Sequence, residues 1–307
     1  MKWILFFLLL PLLLWSQTRT QAHMGTLISV TVEDQQSGDE VFDLFRELDQ
    51  RLSTYKSDSE ISRLNQTYEL NVSETTRNIL VRSLEMNKIS GGAFDVTVGS
   101  FTHSLYRFGY DDEKIPTNDM LQKVKQGVGY HRIKIDENHV KMVPGTLIDL
   151  GGIGKGYGVD LAIAILQQKK VSKAVIAASG DIGCLGECSV EIQDPFHPEG
   201  VVGVIRSTKK RLAVSTSGNY ERYIKNKSYN HLINPKTGKP QQRYASITLI
   251  DDEDNTRLDA LATAVSIMDE NKALAMLESL SISYLLIRND KSILISQMPS
   301  GVTLEYK

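Results

Sequence analysis

Hydrophobic positions along the chain change period several times, and each change marks an element. Residues 26–33 alternate apolar and polar side chains, the period-two pattern of a strand with one buried face. Val41, Leu44, Phe45, Leu48 and Leu52 then recur every three or four positions, which predicts a helix with one apolar stripe. A second helix is expected over 73–89, with Ser73 as its N-cap and Gly91-Gly92 as its stop. Residues 111–125 read as a surface loop with a short helix. From Arg132 short strands and turns lead to a glycine-rich segment at Gly151, and a helix follows over about 157–168. Strand-like runs come at 174–178, 190–193, 201–206, 212–215 and 246–250. Helices at 257–268 and 272–280 and strands at 284–287 and 293–295 close the pattern.

Hairpins mixed with helices, without regular strand–helix–strand alternation, predict an α+β fold of mixed, largely antiparallel sheets with packed helices. No internal repeat, low-complexity tract or linker interrupts residues 24–307, so two lobes around one cleft is the expected arrangement.

The first residues follow another logic. Met1, Lys2 and Trp3 make a short positive start, 4–14 is almost wholly apolar, and Ser16, Gln17 and Thr18 turn polar. This reads as a secretory signal peptide over residues 1–17. The apolar run falls short of the ~20 residues of a comfortable membrane span, although an uncleaved segment would tether the chain to a membrane. No cysteine follows the run, so lipid attachment there is excluded. An exported, periplasmic or periplasm-facing protein is expected.

The chain has 307 residues, 41% of them hydrophobic, which is enough for a sizeable core. A net charge of −2 without a long basic run argues against nucleic-acid binding. Two cysteines, Cys184 and Cys188, are too few for a cysteine metal cluster. They flank Gly186 in a run that reads as strand, short turn, strand. Opposed residues of such a hairpin lie within disulfide range, and export would supply an oxidising setting. Two free thiols are the alternative.

Four segments carry candidate chemistry. Asp149-Leu150-Gly151-Gly152-Ile153-Gly154-Lys155-Gly156-Tyr157-Gly158 precedes a helix, where glycines admit a ligand to the backbone and a helix start favours phosphate. It is neither a Walker A loop nor a dinucleotide fingerprint, and a tight structural turn explains it equally well. In Asp259-Ala260-Leu261-Ala262-Thr263 a carboxylate and a hydroxyl lie one helical turn apart, a suitable oxygen pair for Mg²⁺ or simply a solvated helix start. Thr216-Ser217-Gly218-Asn219-Tyr220 is followed by His231-Leu232-Ile233-Asn234-Pro235-Lys236-Thr237-Gly238, where a lone histidine before a turn is more often structural than catalytic. Gly91-Gly92-Ala93-Phe94-Asp95-Val96-Thr97-Val98-Gly99 reads as a helix stop and then a strand, with Phe94 and Asp95 at a surface.

Each signal is modest alone, but their order is specific. Met24-Gly25-Thr26 comes first, then Leu52-Ser53-Thr54-Tyr55 and 59–65, then Gly92 to Asp95. The Gly-Lys-Gly segment, Ser179-Gly180-Asp181, Thr216 to Gly218, His231 to Pro235 and Asp259 to Thr263 complete the series. Over about residues 24–285 this succession resembles the ApbE-type flavin transferases. The resemblance implies an FAD:protein FMN transferase, which uses Mg²⁺ to move FMN from FAD onto a Thr or Ser hydroxyl of a partner protein and releases AMP. It implies FAD contacts at Met24, Tyr55, Ala93, Phe94, Asp95, Asp149, Lys155 and Ile233. It implies Mg²⁺ ligands at the carbonyl of Gly152, the carboxylate of Asp259 and the hydroxyl of Thr263, and catalysis at His231. The implied partner is an exported flavin-accepting subunit of an electron-transfer complex. Two positions depart from the family pattern: the usual Gly-Gly-Asp is Ser179-Gly180-Asp181, and the usual Asp before Pro235 is Asn234. Two rival readings use the same site. One is an FAD pyrophosphatase giving FMN and AMP; the other is a non-catalytic FAD-binding protein.

Overall fold

The computed structural model describes residues 17–306; the apolar stretch read as a signal peptide lies outside them, apart from Gln17 at their start. The described residues begin with a hairpin in which β1 (Gln17–His23) turns through Met24-Gly25 into β2 (Thr26–Val32). Both turn residues have positive φ, 52° at Met24 and 72° at Gly25, the two-residue turn whose twist suits an antiparallel pair. Glycine adopts that conformation freely; Met24 is held there by its surroundings. β1 was not expected, because apart from Ala22 it is polar and has no buried face; it rests on its ladder to β2 and on hydroxyl pairs such as Thr18–Thr31.

Helix α1 (Gln35–Leu52) buries the predicted stripe of Val41, Phe45, Leu48 and Leu52 and is capped by Asp34. The short α2 (Glu60–Thr67), capped by Ser59, leads to β3 (Glu69–Asn71). Ser73 caps α3 (Glu74–Ile89), whose end is marked by positive φ at Gly91 and Gly92. The strand expected next does not form: residues 93–98 make no ladder, and only Val98 bridges Leu147. Instead α4 (Gly99–Phe101) widens into a π-helical turn at Thr102–Tyr106, followed by α5 (Asn118–Val124) and the pair β4 (Ile133–Asp136) and β5 (His139–Met142). Helix α6 (Gly154–Gln168) starts a turn earlier than the pattern indicated, so part of the glycine-rich segment is helical. Then come β6 (Ala174–Ala178), β7 (Asp181–Leu185), β8 (Cys188–Gln193), β9 (Val201–Ser207), β10 (Arg211–Gly218) and β11 (Tyr244–Asp251). Helices α7 (Asn255–Ile267) and α8 (Glu270–Ser279) and strands β12 (Ser283–Arg288), β13 (Ile293–Ile295) and β14 (Val302–Tyr306) follow.

Eight strands form one sheet in the order β1-β2-β6-β7-β10-β11-β12-β13, every neighbour antiparallel. Its two faces separate by the alternation of side chains. On β7, Leu185 joins a core with Ile28, Val30, Phe42 and Phe45 and with Val159 and Ile163 of α6, while Cys184 joins the other face. That other face is covered by a three-stranded sheet, β14-β9-β8, through Val190, Ile192, Ile205 and Val302. The third sheet, β3-β5-β4, contributes Ile133, Val140 and Met142 to a core shared with α2, α3 and α7. The fold is therefore α+β with largely antiparallel sheets and packed helices.

Cys184 and Cys188 are disulfide-bonded, with Cα atoms 6.4 Å apart. The expected hairpin, however, is absent. β7 pairs with β6 and β10, and β8 pairs with β9, so the bond spans a corner where the chain passes from one sheet to the next. Gly186, with φ 68°, makes that corner.

Candidate active site

A cleft with a cavity volume of ≈ 310 Å³ gathers residues from the β1–β2 turn, the end of α1, the 93–95 and 149–155 segments, the 221–233 region and α7. All twelve residues singled out from the sequence line it: Met24, Tyr55, Ala93, Phe94, Asp95, Asp149, Gly152, Lys155, His231, Ile233, Asp259 and Thr263.

One wall is set by the crossing of α6 and α7. A Cβ at Gly156 would stand 2.3 Å from the carbonyl oxygen of Asn255 and 2.8 Å from Cβ of Asp259, so only glycine permits this approach. The Gly156 amide then donates to Oδ2 of Asp259 at 3.0 Å. A Cβ at Gly152 would meet Oγ1 of Thr263 at 2.8 Å, which seats the Gly152 backbone against that hydroxyl. The first turn of α7 is anchored by Asp160 of α6, which accepts from the amides of Asn255 and Thr256 at 3.0 and 2.7 Å.

The charges here do not balance. Lys155 Nζ lies 3.1 Å from Asp181 and 3.8 Å from Asp259, and Asp181 also accepts from the Ser215 hydroxyl. Burial opposes the charge of Lys155, but Asp181, Asp259 and Glu221 outweigh it and hold its pKa above the usual range. Burial and then Asp181 push Asp259 up, against the pull of Lys155. Glu221 is pushed to about 7, chiefly by burial and, beyond what Lys155 offsets, by Asp181. Lys155, helped at Glu221 by the Arg222 charge, thus faces three acids, and a divalent cation beside Asp259 would restore the balance. Among the described residues no three His, Cys, Asp or Glu side chains form a metal cluster. Gly152, Asp259 and Thr263 all line the cleft, and a carbonyl, a carboxylate and a hydroxyl are the hard oxygen donor types that suit Mg²⁺.

His231 is half-buried and directed by its neighbour. Its Nδ1 lies 3.1 Å from the carbonyl oxygen of Arg222. A carbonyl only accepts, so Nδ1 carries the proton and Nε2 presents a lone pair. Burial first, with the Arg222 and Lys155 charges, pushes the ring's pKa down to about 4. The imidazole is therefore neutral at pH 7. Arg222 also donates from Nη1 to the Tyr55 hydroxyl at 2.9 Å. Tyr55 in turn donates to the carbonyl of Phe108 at 2.9 Å and packs near Tyr110, with ring centroids 5.2 Å apart.

Asp149 accepts from the Thr102 hydroxyl at 2.6 Å and the Gly151 amide at 2.8 Å, with His103 Nε2 at 3.4 Å. Burial raises its pKa, but His103 and these donors bring it below the usual range. Phe94 and Asp95 are not surface residues; they are 4% and 7% exposed. The carboxylate of Asp95 takes the Thr97 amide and hydroxyl, the Tyr130 amide and the Asn87 side chain, and this replaces the ladder a strand would have made. The two departures from the family pattern also become legible. Ser179 has φ 58°, the left-handed conformation a glycine takes freely. Asn234 shapes a turn, its Oδ1 accepting from the Lys236 amide at 2.8 Å. Sequence reasoning assigned no role to Glu221, Arg222, Asp160, Asp181 or His103; for Glu221 and Arg222 the available hint was a charge pair directly after Thr216–Tyr220.

The family model described as the ApbE family matches residues 24–286. An FAD:protein FMN transferase of Haemophilus influenzae is 31% identical over 288 residues, covering 85% of this chain and 81% of that protein. One from Vibrio cholerae is 31% identical over 263 residues, covering 81% and 78%. Among solved structures, the ApbE protein of Thermotoga maritima superposes with a TM-score of 0.85 at 26% identity, covering 92% of this chain and 97% of that one. The flavin transferase ApbE from Vibrio cholerae does so with a TM-score of 0.79 at 26% identity and the same coverage.

Proposed function

The chain belongs to the ApbE family, and from that premise we propose that it is an FAD:protein FMN transferase, with FAD as its substrate and a hydroxyl of another protein as acceptor. The observation that carries this reading is the convergence, in one cleft, of an oxygen set suited to Mg²⁺ and a neutral histidine with a free Nε2. Gly152, Asp259 and Thr263 would hold Mg²⁺, which when bound supplies neutralising charge at the pyrophosphate.

The chain's own groups account for the remaining steps. Tyr55 and the neighbouring aromatic rings offer a face to the flavin. His231 is oriented by the Arg222 carbonyl, so its Nε2 takes the proton of a Thr or Ser hydroxyl. The hydroxyl oxygen bonds to the FMN-side phosphorus, the bond from that phosphorus to the bridging oxygen breaks, and AMP leaves with the electron pair. A resting pKa near 4 makes a weak base, but the negative charge of bound FAD raises it where the proton is taken.

The acceptor is proposed to be an exported flavin-binding subunit of an electron-transfer complex, and the site of action periplasmic. The Cys184–Cys188 bond supports this, because such bonds persist in oxidising compartments. No helix among the described residues is long and apolar enough to cross a membrane.

The test is incubation with FAD, magnesium and candidate acceptors, reading flavin fluorescence on the denatured acceptor together with released AMP. Covalent flavin with matching AMP is expected, and Asp259→Ala should reduce both to background. AMP without flavinylated acceptor would favour a pyrophosphatase, and neither product from any exported flavoprotein subunit would refute the reading.

A further inference from the structure

The cleft has to accept a dinucleotide with two charged phosphates, yet acids crowd its lining: Asp49, Asp95, Asp149, Glu221 and Asp259. Among the described residues only two Lys or Arg side chains line it, Lys155 and Arg222. They are not equivalent. Lys155 is already committed to Asp181 and Asp259. Arg222 pairs with no carboxylate among the described residues, and its one side-chain hydrogen bond goes to a neutral phenol, Tyr55.

Its position is as informative as its freedom. The guanidinium carbon lies 5.9 Å from the centroid of the Tyr55 ring, and Nη2 is 4.0 Å from where a Cβ on Gly25 would stand. The carbonyl of the same residue accepts from both the backbone amide and Nδ1 of His231, each at 3.1 Å. Arg222 therefore stands between the aromatic end of the cleft and the proton acceptor. A guanidinium has five N–H donors in a planar fork that matches phosphate oxygens, and Tyr55 engages one of them. A charged phosphate oxygen is a stronger partner than a phenol, since charge-assisted hydrogen bonds are roughly twice as strong as neutral ones.

We propose that Arg222 is a phosphate-binding residue of this cleft, its guanidinium gripping the FMN-side phosphate of FAD. The proposal deepens the transferase reading and takes its substrate from it. One residue would then fix both the phosphorus, through its side chain, and the base, through its carbonyl, which is the alignment in-line transfer requires.

The test compares binding of FAD, FMN and riboflavin to the full chain in magnesium, read by flavin fluorescence; FMN and riboflavin differ only by the phosphate. The parent should prefer FMN to riboflavin. Arg222→Gln should weaken FMN and FAD about tenfold or more and leave riboflavin within about twofold. Arg222→Lys, which keeps the charge without the fork, should fall between. Tyr55→Phe should retain the FMN preference even if all flavins bind less tightly. Equal losses for FMN and riboflavin in Arg222→Gln would make Arg222 a support for Tyr55 and overturn the proposal. Unchanged FMN binding, or a parent that does not distinguish the two, would overturn it as well. None of these readouts requires FMN transfer, so failure of the transferase reading shows separately, as a parent that binds FAD but releases no AMP with any acceptor.

Discussion

Replacing Asp160 with alanine is expected to loosen the helix that carries Asp259 and Thr263. The Asp160 carboxylate accepts four hydrogen bonds: from the Thr256 amide at 2.7 Å, its hydroxyl at 2.5 Å, the Asn255 amide at 3.0 Å and Arg211 Nη2 at 2.8 Å. Two of the donors are first-turn amides of α7, which have no partner inside their own helix. The side chains of Arg211 and Asp160 are 10% and 23% exposed, so the pair is largely desolvated. Breaking such a pair from one side costs about 3–5 kcal/mol, most of it the stranded charge. Arg211 would keep the Glu253 carbonyl and the Asn255 side chain as partners, which puts the cost at the lower end, about 3 kcal/mol. In a chain of this length each kcal/mol moves Tm by roughly 2 °C, so a fall of about 6 °C is expected in thermal unfolding followed by circular dichroism. The rise in Tm on adding magnesium should also shrink, since Asp259 sits on the displaced helix. Asp160→Leu combined with Arg211→Met removes both charges and should recover most of the loss. A fall under about 2 °C in Asp160→Ala, or no recovery in the double variant, would refute the argument.

Gly156→Ala puts a methyl into the Asn255 carbonyl and the Asp259 Cβ; overpacking of this kind costs about 1–3 kcal/mol, and magnesium dependence of activity should move to higher concentration, with an unchanged titration counting against the tight crossing. His231→Ala should lower turnover about 10²–10⁴-fold with little change in FAD affinity; a loss confined to affinity would make the histidine a binding residue. By NMR of histidine-labelled protein, the resonance missing in His231→Gln should titrate below pH 6, because burial favours the neutral ring down to the folded pKa of about 4; a midpoint at 6.5 or above contradicts the placement. The same sign makes His231 stabilise the fold above pH 6.5 and lose that contribution as pH falls toward 4. Thiol titration of the denatured, unreduced protein should find no free cysteine, and Cys184→Ala with Cys188→Ala should cost only about 2 kcal/mol, since the loop between them is so short; two titratable thiols would exclude the bond.

Elements with a clear apolar period were legible in the sequence: α1, α3, α7 and the strands β6 and β11 fall where alternation or helical spacing puts them. The elements it concealed lack such a period. β1 has no buried face, and α2 has only Ile61, Ser62 and Leu64 inward. At Phe94 and Asp95 a strand-like pattern lost to a carboxylate that satisfies the local amides itself. In the site, spacing alone left Asp259 and Thr263 as readily a solvated helix start as a cation-binding pair; the contacts of Gly156, Gly152 and Lys155 decide that they face the cleft. Arg222 was out of reach, because what distinguishes it is a bond to Tyr55, far away in the chain, which spacing does not reveal.

The pairing of β2 with β6 sets an order of events during synthesis. Ile28 is matched to Ala178, and Val32 to Ala174. The hairpin that presents Met24 to the cleft therefore leaves the ribosome long before the strand that anchors it exists. Until then β2 has α1 to cover Ile28, Val30 and Val32 but only β1 beside it, so its second edge stands unpaired, open to pairing with another chain. A chain stopped before residue 174 would therefore carry the Met24, Tyr55, Phe94 and Lys155 side of the cleft without the His231 and Asp259 side that closes it.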